Sequence, residues 1–326
     1  MLNNKSILLT GGTGSFGRKF VELALREYKP RKLVVFSRDE LKQHEMRQVF
    51  SDQGDLPIRY FIGDVRDVER MRRAMRDIDI VIHAAALKQV PACEYNPNEA
   101  ILTNVIGGQN VITAALDNGV KHVIALSTDK AVNPLNLYGA TKLCAEKLFV
   151  QSNSYRGTSG TKLSCVRYGN VIGSRGSVVP LFQAQKSSGV LTVTDERMTR
   201  FWLTLDQGIR FVLSCLEQMH GGEVFIPKIP SMRVMDLAEA IAPGCKKEVV
   251  GIRPGEKLHE ILISEDEARY ALEFPDMFVI QPAHPWWKND AWSGKKLAEG
   301  FEYSSNNNSQ WMGVAELKKF VDSASE

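Results

Sequence analysis

The sequence predicts an α/β fold, a doubly wound parallel sheet of Rossmann type with a smaller C-terminal α/β substrate lobe. Three observations predict it. Short β-branched runs alternate with segments of helical period through the first half of the chain. Several runs are apolar at nearly every position, as in strands buried on both faces. A glycine-rich turn separates the first run from the first helix.

Taken in order, Ser6–Thr10 reads as the first strand and Phe16–Tyr28 as the first helix. Lys32–Ser37, Ile58–Asp64, Asp79–Ala86 and His122–Thr128 read as the next four strands, and Leu163–Val171 as a sixth. Val68–Arg76 and Asn104–Asn118 supply helices between them. After about Gly173 the rhythm loosens and prolines punctuate shorter elements, such as Pro227, Pro230, Pro243 and Pro254. This divides the chain into a dinucleotide-binding unit, 1–173, and a mainly substrate-binding lobe, 174–326, with crossovers expected between them. Tyr303–Gln310 reads as a polar loop before a last helix near Met312–Val321.

Composition excludes several classes. The chain has 326 residues, 44% hydrophobic and 24% charged, enough for a large core without covalent staples. The 41 basic and 38 acidic residues leave a net charge of +3, too small to argue for nucleic acid or a membrane surface. Five cysteines without a CxxC pair point to reduced thiols rather than a disulfide framework. No histidine or cysteine spacing fits a metal site. The N-terminal apolar run is too short for a signal peptide, and no run approaches the ~18 apolar residues of a membrane span. A cytoplasmic location is expected.

Thr10–Gly17 (TGGTGSFG) places Gly11, Gly14 and Gly17 at a strand–helix junction. A pyrophosphate must touch such a loop directly, and side chains would block it. The following helix then aims its free N–H groups at the phosphates. The loop residues Thr13, Ser15 and Phe16 join the glycines as candidate cofactor contacts. About twenty residues on, where NAD sites carry an acid, the chain has Ser37, Arg38, Asp39 and Lys42. A hydroxyl and a guanidinium suit a 2′-phosphate, which predicts NADP; the alternative is a solvated charge run in which Asp39 does the binding. Asp64 and Val65 are candidates for the adenine, Asp64 on its amino group and Val65 on its ring. A helix cap at Asp64 or Asp67 is the equal alternative.

The glycine loop, the HAAA run (His83–Ala86), Asn104 and the Tyr138-x-x-x-Lys142 spacing together resemble the extended short-chain dehydrogenase/reductase family. Within it, FSRDELKQ, HAAALKQVP, STDKAVNPLNLYGATK and MTRFW are similar to the inverting UDP-N-acetylglucosamine 4,6-dehydratases, which open the pseudaminic acid route to flagellin glycosylation. The sequence looks like the members without a membrane anchor. The resemblance implies an NADP-dependent lyase with UDP-N-acetylglucosamine as substrate, acting as a homo-oligomer, often a hexamer.

The resemblance also implies roles. Tyr138 takes the proton of the sugar hydroxyl, and the Lys142 ammonium lowers a phenol pKa that is ordinarily about 10. Thr128 hydrogen-bonds the reacting oxygen. Retaining relatives carry Asp-Glu where this chain has Asp129-Lys130. Asp129 protonates the C6 oxygen, which requires a raised pKa; Lys130 removes the C5 proton, which requires a lowered one. Ala84, Ala85, Ala86 and Lys88 line the cofactor, and Lys88 also reaches the sugar. Asn170 contacts the nucleotide-sugar phosphates. Arg200 and Arg253, with Arg175 behind them, suit a diphosphate, and Glu256 suits the uridine ribose. The segment around Glu256 also reads as a turn opening a helix. His284–Trp287 (HPWW) reads as a buried or intersubunit cluster. An epimerase acting at C4 of a UDP-hexosamine shares every motif except Asp129-Lys130. A non-catalytic NADP-binding regulator is the alternative of another class.

Overall fold

A computed structural model describes residues 1–172, 178–284 and 292–323. Six strands, β1 (Ser6–Thr10), β2 (Lys32–Ser37), β3 (Ile58–Ile62), β4 (Ile80–His83), β5 (His122–Thr128) and β6 (Lys162–Tyr168), form the parallel heart of a 10-stranded sheet. Their spatial order is β3-β2-β1-β4-β5-β6. Every neighbouring pair among them is parallel. The order reverses between β1 and β4, and ligands of such sheets bind at the carboxyl ends of the strands at that switch point. β1 is buried along its whole length, as its unbroken SILLT run requires.

Helices α1 (Ser15–Glu27), α2 (Glu40–Val49), α3 (Val68–Ala74), α4 (Val90–Tyr95), α5 (Pro97–Ile101), α6 (Gly107–Asp117) and α7 (Leu137–Gln151) connect or flank these strands. The helix expected over Asn104–Asn118 divides in two. A π-helical turn, Leu102–Ile106, carries Asn104 and then gives way to α6. The sixth strand also divides. At Gly169 a Cβ would lie 2.5 Å from the Phe201 side chain. Beyond it, Asn170–Val171 leaves the main sheet and pairs with Thr199–Leu203.

The later chain crosses between two cores. Val224–Pro227 adds to β6 in parallel, and Met277–Ile280, Ala271–Glu273 and Lys295–Lys296 extend that edge antiparallel. The helix Leu205–Gln218 packs against α1. A second apolar cluster gathers Ile172, Phe182, Leu191, Trp202, Leu237 and Leu317. The smaller lobe is thus built from parts of 174–326, while the other parts complete the large sheet. One expectation fails here, and another holds with a shift of two residues. Tyr303–Ser304 is a buried strand against Ile261–Ile263 rather than loop, because the Tyr303 hydroxyl bonds the Ile229 backbone. The last helix is Val314–Ser323. Among the described residues no helix is long and apolar enough to cross a membrane, and no cluster of His, Cys, Asp and Glu could hold a metal.

Candidate active site

The glycine loop is shaped by its neighbours. Gly11 has φ +64°, and a Cβ there would lie 2.8 Å from the Ala85 nitrogen. A Cβ on Gly17 would lie 2.3 Å from the Gly12 carbonyl oxygen. Gly14 is the N-cap of α1, and no side chain caps that helix. The opening N–H groups of α1, from Ser15 onward, therefore present their donors to the loop's open side. Uncapped amides over a loop without side chains fit a pyrophosphate. Phe16 is partly buried and stacks on Phe20.

The residues expected at the 2′-position are already engaged. Ser37 is buried, and its hydroxyl lies 2.9 Å from that of Thr13. Arg38 pairs with Asp64 at 3.7 Å, and Lys42 with Asp39 at 2.6 Å. Asp39 also caps α2. Asp67, not Asp64, caps α3. Asp64 instead takes the Arg66 guanidinium, which holds its carboxyl low against the opposing effect of burial. Val65 is buried against Gly107 rather than presented at the surface.

β4 ends at His83, shorter than expected, and Ala84–Ala86 continue as half-buried chain outside the strand. The Thr10 hydroxyl organises this end. It accepts from the Ala84 and Ala85 N–H groups at 3.2 and 3.3 Å and lies 2.8 Å from His83 Nδ1. Asn104, set by the π-turn, exchanges two hydrogen bonds with the Leu87 backbone and donates to Thr141 Oγ1 at 2.9 Å. It thereby ties the segment bearing Lys88 to the helix bearing Tyr138.

Past β5, Asp129–Ala131 form one 3₁₀ turn, capped by the Thr128 hydroxyl. Asp129 is 0% exposed, with Oδ1 3.0 Å from both Thr128 Oγ1 and Lys130 Nζ. Its Oδ2 is buried with no partner among the described residues. Burial raises its pKa, with Lys130 opposing. Lys130 behaves contrary to expectation. Although burial lowers its pKa, Asp129 and then Glu260, whose Oε1 is 3.1 Å from Nζ, outweigh it, and the amine is held well above its ordinary range. In this state Lys130 is an ammonium.

Tyr138 and Lys142 share one face of α7. Burial pushes the phenol up to about 12; Lys130 is the cation that opposes this, and a hydrogen bond with Thr128 assists it. Lys142 donates to the Leu126 carbonyl at 2.6 Å, and burial lowers its amine. The expected lowering of Tyr138 by Lys142 is therefore not present here. Lys88 is exposed, yet desolvation of its amine and then the Lys130 ammonium lower it.

Of the substrate candidates, Asn170 and Glu256 each carry a buried oxygen, Oδ1 and Oε2, with no partner among the described residues. Arg253 is exposed. Arg200 is 8% exposed and turned inward, donating to the Thr199 and Leu258 carbonyls at 2.7 and 3.1 Å. Arg175 lies outside the described residues, as do Pro285–Trp287. The segment around Glu256 is a turn without a helix. It lies along the segment that joins β5 to α7. Asn136 donates to the Gly255 carbonyl at 2.8 Å, and the Lys257 ammonium donates to the Val132 carbonyl. Lys257 and Glu260 escaped the sequence reading. The signal for Glu260 was an acid leading directly into the apolar run Ile261–Ile263.

The polysaccharide biosynthesis protein family matches residues 7–282. The chain is 54% identical, over 99% of its length and 98% of the relative's, to the inverting UDP-N-acetylglucosamine 4,6-dehydratase of Campylobacter jejuni subsp. jejuni serotype O:2. It is 39% identical, over 98% and 96%, to the UDP-glucose 4-epimerase of Rickettsia conorii. The solved structure of Pen from Bacillus thuringiensis superposes with a TM-score of 0.90 at 40% identity, covering 100% and 99% of the two chains. DesIV, a dTDP-glucose 4,6-dehydratase from Streptomyces venezuelae solved with NAD, shares the fold at TM-score 0.67 and 22% identity, over 78% and 86%. By sequence match and by fold, the chain belongs to the polysaccharide biosynthesis protein family, within the extended short-chain dehydrogenase/reductases.

Proposed function

We propose that the protein is an inverting UDP-N-acetylglucosamine 4,6-dehydratase. The observation that carries this reading is the Asp129–Lys130 pair at the end of β5, Asp129 fully buried and Lys130 half-buried, close enough to Tyr138 to act on its phenol. Oxidising and re-reducing C4, as an epimerase does, leaves no task for a second acid and an amine. Eliminating water across C5–C6 needs both. The 54% identity to a named dehydratase, against 39% to a named epimerase, favours the same reading. Tyr138 and Lys142 are both retained, which removes the reason to read the chain as a non-catalytic regulator.

Tyr138 receives the C4 hydroxyl proton, with Thr128 steering the phenol. The bound nicotinamide nucleotide supplies hydride transfer. A C4 ketone makes the C5 proton acidic, and Lys130 removes it. Asp129, whose burial favours the protonated acid, delivers its proton to the departing C6 oxygen. Proton transfers of this kind contribute about 10²–10⁴-fold each. With the hydride taken from C4 returned to C6, reprotonation of C5 from the opposite face would give the L-arabino 4-keto-6-deoxy sugar. The glycine loop, Ala84–Ala86 and Lys142 hold the cofactor, and Asn170, Arg200, Arg253 and Glu256 hold the nucleotide sugar.

NADP is the proposed form, on the strength of Ser37, Arg38 and Lys42 at the end of β2. Arg38 and Lys42 must release Asp64 and Asp39 to serve a 2′-phosphate. Equal dissociation constants for NADP and NAD would remove this part. A cytoplasmic homo-oligomer making the first intermediate of pseudaminic acid completes the reading.

The test is incubation with UDP-N-acetylglucosamine and NADP in deuterated water. The expected product has lost one water and carries deuterium at C5. Lys130→Ala should bind NADP normally and form neither. Product of unchanged mass, or deuterium retained in Lys130→Ala, overturns the assignment.

A further inference from the structure

Lys130 meets two carboxylates from different parts of the chain. Asp129 is its neighbour on the 3₁₀ turn; Glu260 arrives from the smaller lobe's connection and is 2% exposed. Burying a second acid here is costly unless it is paired, and Glu260 meets Lys130 at 3.1 Å and Arg200 at 3.8 Å. Its backbone is fixed on both sides. Its N–H donates to Ser305 Oγ at 2.9 Å, and its carbonyl accepts from the Ser305 N–H at 2.8 Å. Ser305 Oγ in turn lies 2.7 Å from Thr199 Oγ1, which lies 2.8 Å from His259 Nδ1. Glu260 Oε2 is buried with no partner among the described residues.

We propose that Glu260 is a positioning residue of the elimination, which fixes the Lys130 amine and accepts its proton when substrate closes the site. This rests on the dehydratase reading. A base at C5 must be neutral, yet Lys130 rests as an ammonium between the two acids. Asp129 cannot take its proton, because that carboxyl must already be protonated to serve the C6 oxygen. Among the described residues Glu260 is the other carboxylate in contact with Lys130.

The charges balance. The elimination starts from Asp129 as the acid, Lys130 as an ammonium held by Glu260 3.1 Å away, and Glu260 as the carboxylate. When the sugar excludes water, the Lys130 N–H bond breaks and a Glu260 O–H bond forms, which removes a charge pair from a low-dielectric site. The neutral amine then takes the C5 proton. The C5–H pair becomes the C5–C6 double bond, the C6–O bond breaks, and the Asp129 proton leaves with that oxygen as water. Asp129 carboxylate now faces Lys130 ammonium, and Glu260 keeps its proton, so the net charge is unchanged.

The groups around Glu260 are Lys130, Arg200 at 3.8 Å and Lys257, with Asp129 across the lysine. Lys88 and Tyr138 face Lys130, and His259 adjoins Arg200. The cations favour the Glu260 carboxylate at rest. A substrate diphosphate that engages Arg200 weakens that preference, so binding itself prepares the base.

The test compares kcat/KM against pH for the NADP-loaded wild type, Glu260→Gln and Glu260→Asp with UDP-N-acetylglucosamine. Wild type needs only the internal transfer, so its acid limb follows a carboxylate, at about pH 5 or below. Glu260→Gln must lose the Lys130 proton to solvent. Its acid limb should rise by a pH unit or more, and kcat at neutral pH should fall about 10²-fold or more. Glu260→Asp should keep the low limb with a reduced kcat. A pH indicator in stopped flow gives a second readout on wild type alone, where substrate binding should release no proton. An unmoved limb in Glu260→Gln, or a full proton released by wild type, overturns the role of Glu260 while leaving the dehydratase intact. A wild type that forms no dehydrated sugar overturns the reading beneath it.

Discussion

The Asn136 carboxamide donates to the Gly255 carbonyl at 2.8 Å, across 119 positions of chain. The same side chain accepts from the Gly139 N–H at 2.8 Å and so caps α7, the helix of Tyr138 and Lys142. One residue therefore starts the helix of Tyr138 and Lys142 and ties the Gly255 turn to it. Asn136→Ala should cost about 1–2 kcal/mol in urea unfolding through the lost cap and raise KM for the nucleotide sugar. Asn136→Asp keeps the acceptor and loses the donor. It should restore most of the stability but not KM. Equal recovery of both would show that the Gly255 contact is idle.

Gly17 and Gly119 make a matched pair for the cofactor loop. Alanine at Gly17 places a methyl 2.3 Å from the Gly12 carbonyl oxygen, a distance real Cβ contacts do not reach. The loop and α1 must separate, and the amides that would face phosphate go with them. NADP affinity, read by fluorescence titration, should fall at least tenfold (about 1.4 kcal/mol). Gly119 has φ +63° and open space around it. Gly119→Ala should carry only the left-handed backbone cost, about 1–2 kcal/mol, with NADP affinity unchanged. Matching losses at both sites would mean the glycine loop does not bind the cofactor.

These contacts also mark how far the sequence could be read. The strands β1, β2 and β5 were legible to the residue, because each centres on a short apolar run, Ile7–Leu9, Leu33–Phe36 and Val123–Leu126. Asp129, Lys130, Tyr138 and Lys142 were legible because they fall in one short stretch. Glu260 and Lys257 were not. They reach the same site by a tertiary approach that no local spacing encodes. The charge state of Lys130 followed them, since one adjacent acid is visible in the sequence and the second is not. Gly169 was a quiet failure: close packing on Phe201, not turn chemistry, is what breaks the sixth strand.

A second buried charge cluster joins β6 to α7. Arg167 on β6 is 1% exposed and bonds both Glu146 of α7, at 2.6 Å, and Glu267, at 2.8 Å. It also donates to the Leu262 carbonyl at 2.9 Å. The cluster ties sheet, helix and C-terminal lobe at one point. Removing one partner of such a set leaves a charge buried and undercompensated. Glu146→Ala should lower unfolding stability by about 3–5 kcal/mol. The loss should appear in chemical denaturation with NADP binding still measurable in the folded fraction. A change below about 1 kcal/mol, the range of exposed pairs, would show that water reaches the cluster.

His83 gives the fold a pH dependence of known sign. It is buried at the end of β4, stacked on Phe149, and burial lowers its pKa to about 3, with Lys142 adding to the effect. Thr10 Oγ1 accepts from the Ala84 and Ala85 amides, so its one proton goes to His83 Nδ1. The folded ring is then neutral, with its own proton on Nε2. Unfolded, the ring titrates at about 6.5. Between these two values the unfolded chain binds a proton that the folded chain does not. Stability is therefore complete above about pH 6.5 and is lost as pH falls, by about 1.4 kcal/mol per pH unit at most. Urea unfolding at about pH 7 and about pH 5 should differ by roughly 2 kcal/mol from this residue alone. His83→Gln cannot titrate, and its stability should vary less with pH by that amount. Parallel pH profiles for the two proteins would mean that His83 becomes charged inside the folded sheet, and that the Thr10 hydroxyl does not fix its tautomer.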